Sequence, residues 1–310
     1  MYQNFEKIYG NLIDYVTLLG AQKAEFKTKL IFTIALVIVL AIVLVSVFVI
    51  YKDSYVEKMG ELQLVLTIVG IIFAALFIFA LMHLGKSSKT YNKIFKKEIL
   101  PRLLKNIDEN LNYEPSKGLP KETYVQSGLA IKFNQFGSED HISGFISETA
   151  LLEMSEIDAR KIEKDDKGNS HVVDQFSGIL AVATLRKNAH TNVKIVKNSF
   201  WKLSREANIR IASVQFEKYF DVYADDKVAA MQIFTTDVIE EIMAFVEELK
   251  IHLQLSIKGN KLYITFKTGE MYEGGITKNT KELLSRYYVI TDFIVNLIKR
   301  INIAIDEAEI

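Results

Sequence analysis

Residues that usually carry out catalysis are few in this chain, and their spacing matches none of the common motifs. The 310 residues contain no cysteine, which excludes disulfides, thiolate metal sites and cysteine nucleophiles. The motifs GxxxxGK(S/T), GxGxxG and GxSxG do not occur. No two histidines stand three or four residues apart, so a helical metal pair is absent; they are His83, His141, His171, His190 and His252. The sequence therefore predicts no catalytic residue, no metal ligand and no cofactor.

Three groups of polar residues come nearest to a site. His141 follows Glu139 and Asp140, and we interpret it as a loop histidine with acidic neighbours. The pairs Asp165–Asp166 and Asp225–Asp226 are adjacent in sequence, and adjacent side chains on a strand point to opposite faces. Neither pair is therefore expected to form an acid–base dyad, and both are predicted to be solvated turns. A site that the fold assembles from distant residues stays open.

Basic residues are concentrated after one apolar segment and in one later stretch. Lys plus Arg and Asp plus Glu both number 38, so the net charge is zero and nucleic acid is not a predicted partner. Residues 186–210 hold seven basic residues and one acid. The candidate contacts with anionic lipid head groups are Lys86, Lys89, Lys93, Lys96, Lys97, Lys194, Lys197, Lys202 and Arg205. The alternatives are ordinary basic flanking of a membrane span for the first five and a solvated surface for the last four.

Two apolar segments are long enough to cross a bilayer. Residues 30–51 carry no charge over 22 residues, and residues 62–84 span 23 residues with His83 only near the end. At about 1.5 Å of rise per residue each reaches roughly 33 Å, which exceeds the ~30 Å hydrocarbon core. Because only residues 52–61 separate them, we expect a transmembrane helical hairpin at 30–84. Gly70 and Ala74 have the small-xxx-small spacing that suits packing within this hairpin or self-association into a homo-oligomer.

Flanking charge predicts the side of the membrane on which each end lies. Three lysines within residues 23–29 precede the first span, and five lysines follow the second within residues 86–97. Lysine and arginine near span ends favour the cytoplasmic side. Both termini are therefore expected in the cytoplasm. Cysteines introduced at Ser54 and Ser256 should then react from opposite sides of the membrane.

The rest of the chain predicts a mixed domain framed by helices. Residues 1–29 form an amphipathic helix, which packs on the domain or lies on the membrane, and residues 85–111 form a basic juxtamembrane helix bent at Pro101. Residues 112–279 group their strands and helices, which favours an α+β cytoplasmic domain over a doubly wound sheet. Residues 280–310 form an amphipathic C-terminal helix. The clearest patterns are strands at 151–164, 176–185 and 193–197, a helix at 235–250 and a hairpin at 251–266.

Several short motifs follow one another along the chain. They are Asn112–Pro115, Ser127–Leu129, Glu139–Gly144, Phe176–Gly178, Phe216–Tyr223 and Phe234–Thr236. Together with two close spans and a basic helix, this order resembles the bacterial membrane proteins of domain-of-unknown-function family 3137 over most of the chain. The resemblance implies a bacterial inner-membrane protein with a cytoplasmic domain. It transfers no catalytic or binding residue, because the family has no established activity.

These features together predict a membrane-anchored cytoplasmic binding or scaffold module without evident catalytic activity. Neither span has an ionisable residue near its middle, although ion pathways and proton relays usually require one, so the spans are interpreted as an anchor. The alternatives are an accessory subunit of a membrane transport or envelope complex, and an enzyme with an unrecognised site. The lipid bilayer is the predicted partner, and the sequence identifies no protein partner.

Overall fold

The computed structural model describes residues 2–51, 59–165, 168–198 and 214–308. The chain divides into two compact units, and each is described by itself. The sheet unit consists of Met1–Ile8, Leu100–Tyr272 and Leu284–Ile310, and the helical unit consists of Tyr9–Ile99 and Glu273–Leu283.

The centre of the sheet unit is an eight-stranded antiparallel sheet. Its strands are β1 (Asn112–Glu114), β2 (Gln135–Ser147), β3 (Ala150–Lys164), β4 (Ser170–Leu185), β5 (Val193–Lys197), β6 (Phe220–Ala224), β7 (His252–Lys258) and β8 (Lys261–Lys267). They lie in the order β1-β2-β3-β4-β8-β7-β5-β6, and every neighbouring pair is antiparallel. The predicted strands at 151–164, 176–185 and 193–197 and the predicted hairpin are confirmed. The α+β class is confirmed as well. β2 contains the short strand that the sequence predicts at 142–146, whereas β1 and β6 are additions that the sequence did not predict.

Each face of the sheet is covered by a different aromatic cluster. On one face the short helix α4 (Lys121–Gln126) places Tyr124 with its ring centroid 5.6 Å from that of Phe176. On the opposite face lie α7 (Thr236–Leu249) and α8 (Thr280–Glu307). There the rings of Phe245 and Phe293 stack at 3.7 Å, and both present their faces or edges to Phe266. The predicted helices at 235–250 and at the C-terminus are therefore confirmed and enclose the core.

Two further helices, α5 (Val214–Tyr219) and α6 (Lys227–Ile233), flank β6. Asp226 begins α6, because its side chain accepts hydrogen bonds from the amides of Val228 at 2.7 Å and Ala229 at 3.2 Å. The expected solvated turn at Asp225–Asp226 is therefore a helix cap. In the other acidic pair, Asp165 closes a turn by accepting from the Asn169 amide at 2.8 Å, and Asp166 lies outside the described residues.

The helical unit contains α2 (Met59–Ile94) and most of α1 (Tyr2–Tyr51), whose residues up to Ile8 belong to the sheet unit. With 50 residues, α1 is about 75 Å long, so the predicted amphipathic segment and first span form one continuous helix. The apolar stripe that precedes the span is buried at Phe5, Ile8, Leu12 and Leu19. These four side chains are therefore packed against other protein residues.

Both long helices are long and apolar enough to cross a membrane. Their most apolar 18-residue windows have mean hydropathies of 2.8 and 2.5, and no residue of either window is buried in the protein. By contrast, a core helix of a soluble protein would be mostly buried. The surfaces of these segments therefore lie open, with side chains such as Phe32 and Ile71 more than half exposed.

Pro101 is accommodated by a change in helix type. A π-helical turn at Phe95–Ile99 joins α2 to α3 (Leu100–Ile107). A proline has no amide hydrogen, and in an α-helix its ring clashes with the carbonyl group four residues earlier, which here belongs to Lys97. A wider π turn before the proline relieves this conflict. The single basic helix predicted over 85–111 is therefore three helical segments.

The segment Glu273–Leu283 packs on α2 within the helical unit. The Asn92 amide donates to the Glu273 carboxylate at 2.5 Å, and Lys96 forms an ion pair with the same carboxylate. Gly274 permits this approach, because a Cβ there would lie 2.8 Å from the ring of Tyr91 and 2.9 Å from the Cβ of Phe95. The segment is thus held to α2 by the Glu273 carboxylate, by the close approach at Gly274 and by a 3.3 Å contact between the hydroxyl groups of Thr280 and Tyr91.

Candidate ligand-binding cleft

A cleft of ≈ 710 Å³ lies in the sheet unit between the C-terminal end of α7 and the ends of β5, β6 and β7. We call it the lysine cleft, because Lys197, Lys218 and Lys250 all line it and all are exposed. Its size falls within the range of about 300–1,000 Å³ that is usual for small-ligand sites. The cleft is therefore large enough for a ligand and carries three cations at its rim.

The local fold explains why these lysines converge. Lys250 ends α7 with a left-handed backbone (φ 52°), and the chain then turns into β7. Lys197 stands opposite Phe220 in the last pair of the β5–β6 ladder. Immediately after it, the Asn198 amide donates to the carbonyl of Tyr219 at 2.8 Å, which holds the end of α5 and hence Lys218 next to the strands.

The positive charge of the cleft comes from its lysines. In the part of the lining that the structure describes, the acid is Glu247, whose carboxylate accepts from the Gln215 amide at 2.7 Å. Desolvation lowers the pKa of His252, and the nearby charges of Lys197 and Lys267 lower it further, which favours the neutral form of this imidazole. The floor is apolar, with Phe220 and Leu253 buried beneath the lysines. Such a cleft can hold an anionic group at its rim.

Two basic residues that are close in the sequence, Lys194 and Lys197, line different clefts in the structure. Lys194 and Lys197 are three residues apart on β5, so their side chains leave opposite faces of the sheet. Lys197 lines the lysine cleft, whereas Lys194 lines a different cleft beside Tyr223. The predicted lipid contacts Lys202 and Arg205 lie outside the described residues.

The lysines that follow the second apolar segment divide into two groups. Exposed side chains recur at spacings of three or four residues and form one stripe along the helix, at Lys86, Lys89, Lys93 and Lys97. Lys96 differs because it is half-buried and paired with Glu273. The stripe is therefore available for a contact, whereas Lys96 holds the Glu273–Leu283 segment.

Gly70 and Ala74 lie on α2 within the helical unit. Among the described residues, no heavy atom outside the local backbone lies within 4 Å of a Cβ added at Gly70, and Ala74 is exposed. Gly70 therefore makes no close contact within the described part of the hairpin. Self-association through these two residues stays a prediction.

A buried polar cluster surrounds His141, for which the sequence predicts a loop position. That interpretation is wrong, because His141 lies in β2 with only 2% of its surface exposed. Its Nδ1 is 3.1 Å from Ser155 Oγ, and its Nε2 is 4.0 Å from a Glu153 carboxylate oxygen. Ser155 is fully buried and also accepts a hydrogen bond from the Leu119 amide at 3.2 Å. A serine with no exposed surface and a backbone amide on its oxygen serves to fix the chain, so we assign this cluster a structural role.

The buried imidazole makes stability depend on pH. Desolvation, followed by the charge of Lys117, lowers the pKa of His141, although Glu153 and Glu114 act in the opposite direction. The unfolded chain therefore binds this proton more readily, and stability is lost as the pH falls below about 6.5. We expect His141→Gln to flatten the decline in thermal midpoint between pH 7.5 and 5 while lowering stability at pH 7.5 by about 1–3 kcal/mol.

The control for this measurement is His171→Gln, at an exposed position near the start of β4. It should keep the pH dependence of the unaltered protein when both are scanned by circular dichroism. An equal slope in the His141 and His171 variants would contradict the assignment of the pH dependence to the buried ring.

The fold and the cleft can now be compared with known proteins. A family model described as "Protein of unknown function (DUF3137)" matches residues 174–303. This match supports the family resemblance for the part of the chain from β4 into α8, which contains the whole lysine cleft. The motifs at 112–115, 127–129 and 139–144 precede it and lie outside the matched region.

No curated protein matches the chain. A solved structure, the crystal structure of the mycobacterial trehalose monomycolate transport factor A, TtfA, is similar at 11% sequence identity with a TM-score of 0.35, over 66% of this chain and 97% of that one. Similarity at this level carries no argument about fold or function, so the cleft must be interpreted from its own residues.

Proposed function

We propose that this protein is a membrane-anchored binding module. Its two apolar helices cross the cytoplasmic membrane of a bacterium, and the sheet unit and both termini lie on the cytoplasmic side. The observation that carries this proposal is the exposure of the two apolar windows, since neither is buried in the protein at all. Burial of apolar surface stabilises by about 25 cal/mol per Å², so surfaces of this extent require a lipid environment.

The basic stripe supports the orientation and narrows the predicted lipid contacts. Lys86 and Lys89 lie about 3 and 8 Å beyond Leu84, the end of the second apolar segment, if the helix stands near the membrane normal. The head-group layer is roughly 5–7 Å thick on each side of the core. Lys93 and Lys97, at about 14 and 20 Å, lie beyond it. We infer that Lys86, which lies within this layer, and Lys89, whose flexible side chain reaches back into it from its outer edge, bind lipid head groups directly, and that the other two attract the leaflet weakly through screened charge.

The absence of native cysteine allows a direct test of topology. Ser256 is a poor labelling site because only 1% of its surface is exposed, so we choose Ser170, an exposed residue at the start of β4. In intact bacterial cells we expect a membrane-impermeant maleimide to label Ser54→Cys. Labelling of Ser170→Cys should appear only after the membrane is permeabilised.

Two controls accompany this labelling. The cysteine-free protein should stay unlabelled, and a membrane-permeant maleimide should label both variants. Reaction of Ser170→Cys in intact cells, or recovery of the full-length chain in a detergent-free soluble fraction, would overturn the proposal.

A further inference from the structure

We propose that the lysine cleft binds one anionic amphiphile, with a phosphate or carboxylate head between Lys218 and Lys250 and an acyl chain against Phe220. The inference deepens the proposed function and rests on it for the source of the ligand, which is the inner leaflet of the membrane. The ligand class follows from two features of the cleft, which are the positive charge of its lysines and the apolar side chains of its floor.

The charge of the cleft is assembled from three separate elements. Lys197 ends β5, Lys218 lies in α5 and Lys250 ends α7, yet all three line one cavity. Ordinary protein surfaces intersperse both signs of charge. Among the described residues of the lining, one carboxylate, Glu247, accompanies the three ammonium groups, and it already accepts from Gln215. The cleft therefore favours an anion, because ammonium groups donate strong, charge-assisted hydrogen bonds to phosphate or carboxylate oxygens.

The floor of the cleft distinguishes an amphiphile from a small inorganic anion. Sites for bare phosphate are commonly built from backbone amides at helix N-termini. The helix ends in the described lining of this cleft are instead the C-terminal ends of α5 and α7, so helix N-terminal amides do not contribute there and the lysine side chains must hold the anionic group. The lining beneath the lysines is apolar, with Phe220, Val246 and Leu253 buried and Tyr219 42% exposed. A head group at the rim with a chain over this floor satisfies both features.

Photochemical capture can test the site in the full-length protein. The protein is reconstituted in nanodiscs of phosphatidylcholine, which is neutral overall. It is then exposed to lysophosphatidic acid that carries a diazirine on its acyl chain, and crosslinked peptides are mapped by mass spectrometry. A lysophosphatidylcholine with the same chain provides the comparison without net charge. We expect the anionic probe to label peptides that contain Phe220 or Leu253 at least fivefold more than the neutral one.

Charge reversal in the cleft should remove this capture. Lys218→Glu/Lys250→Glu is expected to lower labelling of these peptides at least tenfold. The matched control, Lys164→Glu/Lys227→Glu, changes two exposed lysines outside the cleft by the same total charge and should stay within twofold of the unaltered protein. If the glutamate pair fails to fold, Lys218→Gln/Lys250→Gln replaces it. Tyr219→Ser should reduce capture three- to tenfold while the preference for the anionic head is kept.

The outcomes separate the ligand sources and the two proposals. Equal labelling by both probes, unchanged labelling in the cleft variants, or crosslinks confined to residues 30–84 would overturn the inference. Displacement of the anionic probe by millimolar inorganic phosphate, with Tyr219→Ser unaltered, would also overturn it, since the cleft would then hold a bare anion. If the cysteine labelling contradicts the proposed topology but the anionic probe still crosslinks to the cleft, only the membrane-anchor proposal is refuted. If the cysteine labelling agrees with the proposed topology but the probe does not crosslink to the cleft, only the proposal of ligand binding in the cleft is refuted.

Discussion

Replacing Gly178 by alanine is expected to disrupt the sheet unit. Gly178 has φ 154°, a conformation that side-chain-bearing residues rarely adopt, at the point where β4 begins to pair with β8. A Cβ at this position would lie 1.9 Å from the carbonyl oxygen of Phe266 and 2.8 Å from the amide nitrogen of Thr268. Both are backbone atoms that cannot move without breaking the ladder. We expect Gly178→Ala to destabilise the protein by about 4 kcal/mol or more.

Thermal unfolding of the full-length protein in mild detergent measures this effect. A loss of about 4 kcal/mol corresponds to a midpoint shift of roughly 8–16 °C for a domain of this size. Gly137→Ala is the matched control, because Gly137 is also a strand glycine and a Cβ there meets no heavy atom within 4 Å among the described residues. It should be neutral or stabilise by about 0.4–1 kcal/mol. Equal midpoints for the two variants would mean that β4 and β8 do not approach each other as the structure has it.

Much of the fold could be predicted because its long elements carry clear periodic patterns. In α7, apolar residues recur every three or four positions, and in β8 the sequence alternates between two buried faces. The short elements β6 and α6 were missed for a definite reason. They meet at Asp225–Asp226, where adjacent acids indicate a turn, and nothing in the sequence alone marks Asp226 as a cap until the helix after it is known.

The cleft could be predicted only in part, because it is made by tertiary structure. Lys197 was a candidate residue, but Lys218 and Lys250 lie 21 and 53 positions further along the chain and no motif joins them to it. Lys194, its neighbour in the same basic stretch, leaves the opposite face of the sheet. A period of two along β5 could have separated this pair. By contrast, the convergence with α5 and α7 depends on the strand order of the sheet.

The environment of His141 could not be predicted from its sequence neighbours. Its acidic sequence neighbours suggest an exposed loop, yet the alternation of β2 turns the imidazole into the interior, towards Ser155 on the neighbouring strand. The decisive contact lies across strands, so sequence proximity gave a wrong environment. Charged neighbours therefore predict solvation only where the backbone conformation is already known.

Phe245→Ala is the second large prediction, because this ring joins the core to the wall of the lysine cleft. Phe245 is fully buried, stacks on Phe293 at 3.7 Å and meets Phe266 edge-on at 5.6 Å. Truncation of a phenylalanine in such a cluster removes its burial and leaves a cavity, at a cost of about 3–5 kcal/mol. The thermal midpoint should fall by roughly 6–20 °C for a domain of this size.

The same substitution should also weaken ligand binding in the lysine cleft, because α7 connects the core to the cleft. Phe245 anchors the last turn of α7, and Val246 and Lys250, which line the cleft, follow it on the same helix end. At a temperature where the variant is still folded, we expect weaker capture of the anionic probe because Lys250 loses its fixed position. Ile303→Ala, at a half-exposed position on α8, should leave both stability and capture within experimental error. A Phe245→Ala protein that is destabilised but captures the probe fully would show that the cleft holds its ligand without the support of α7.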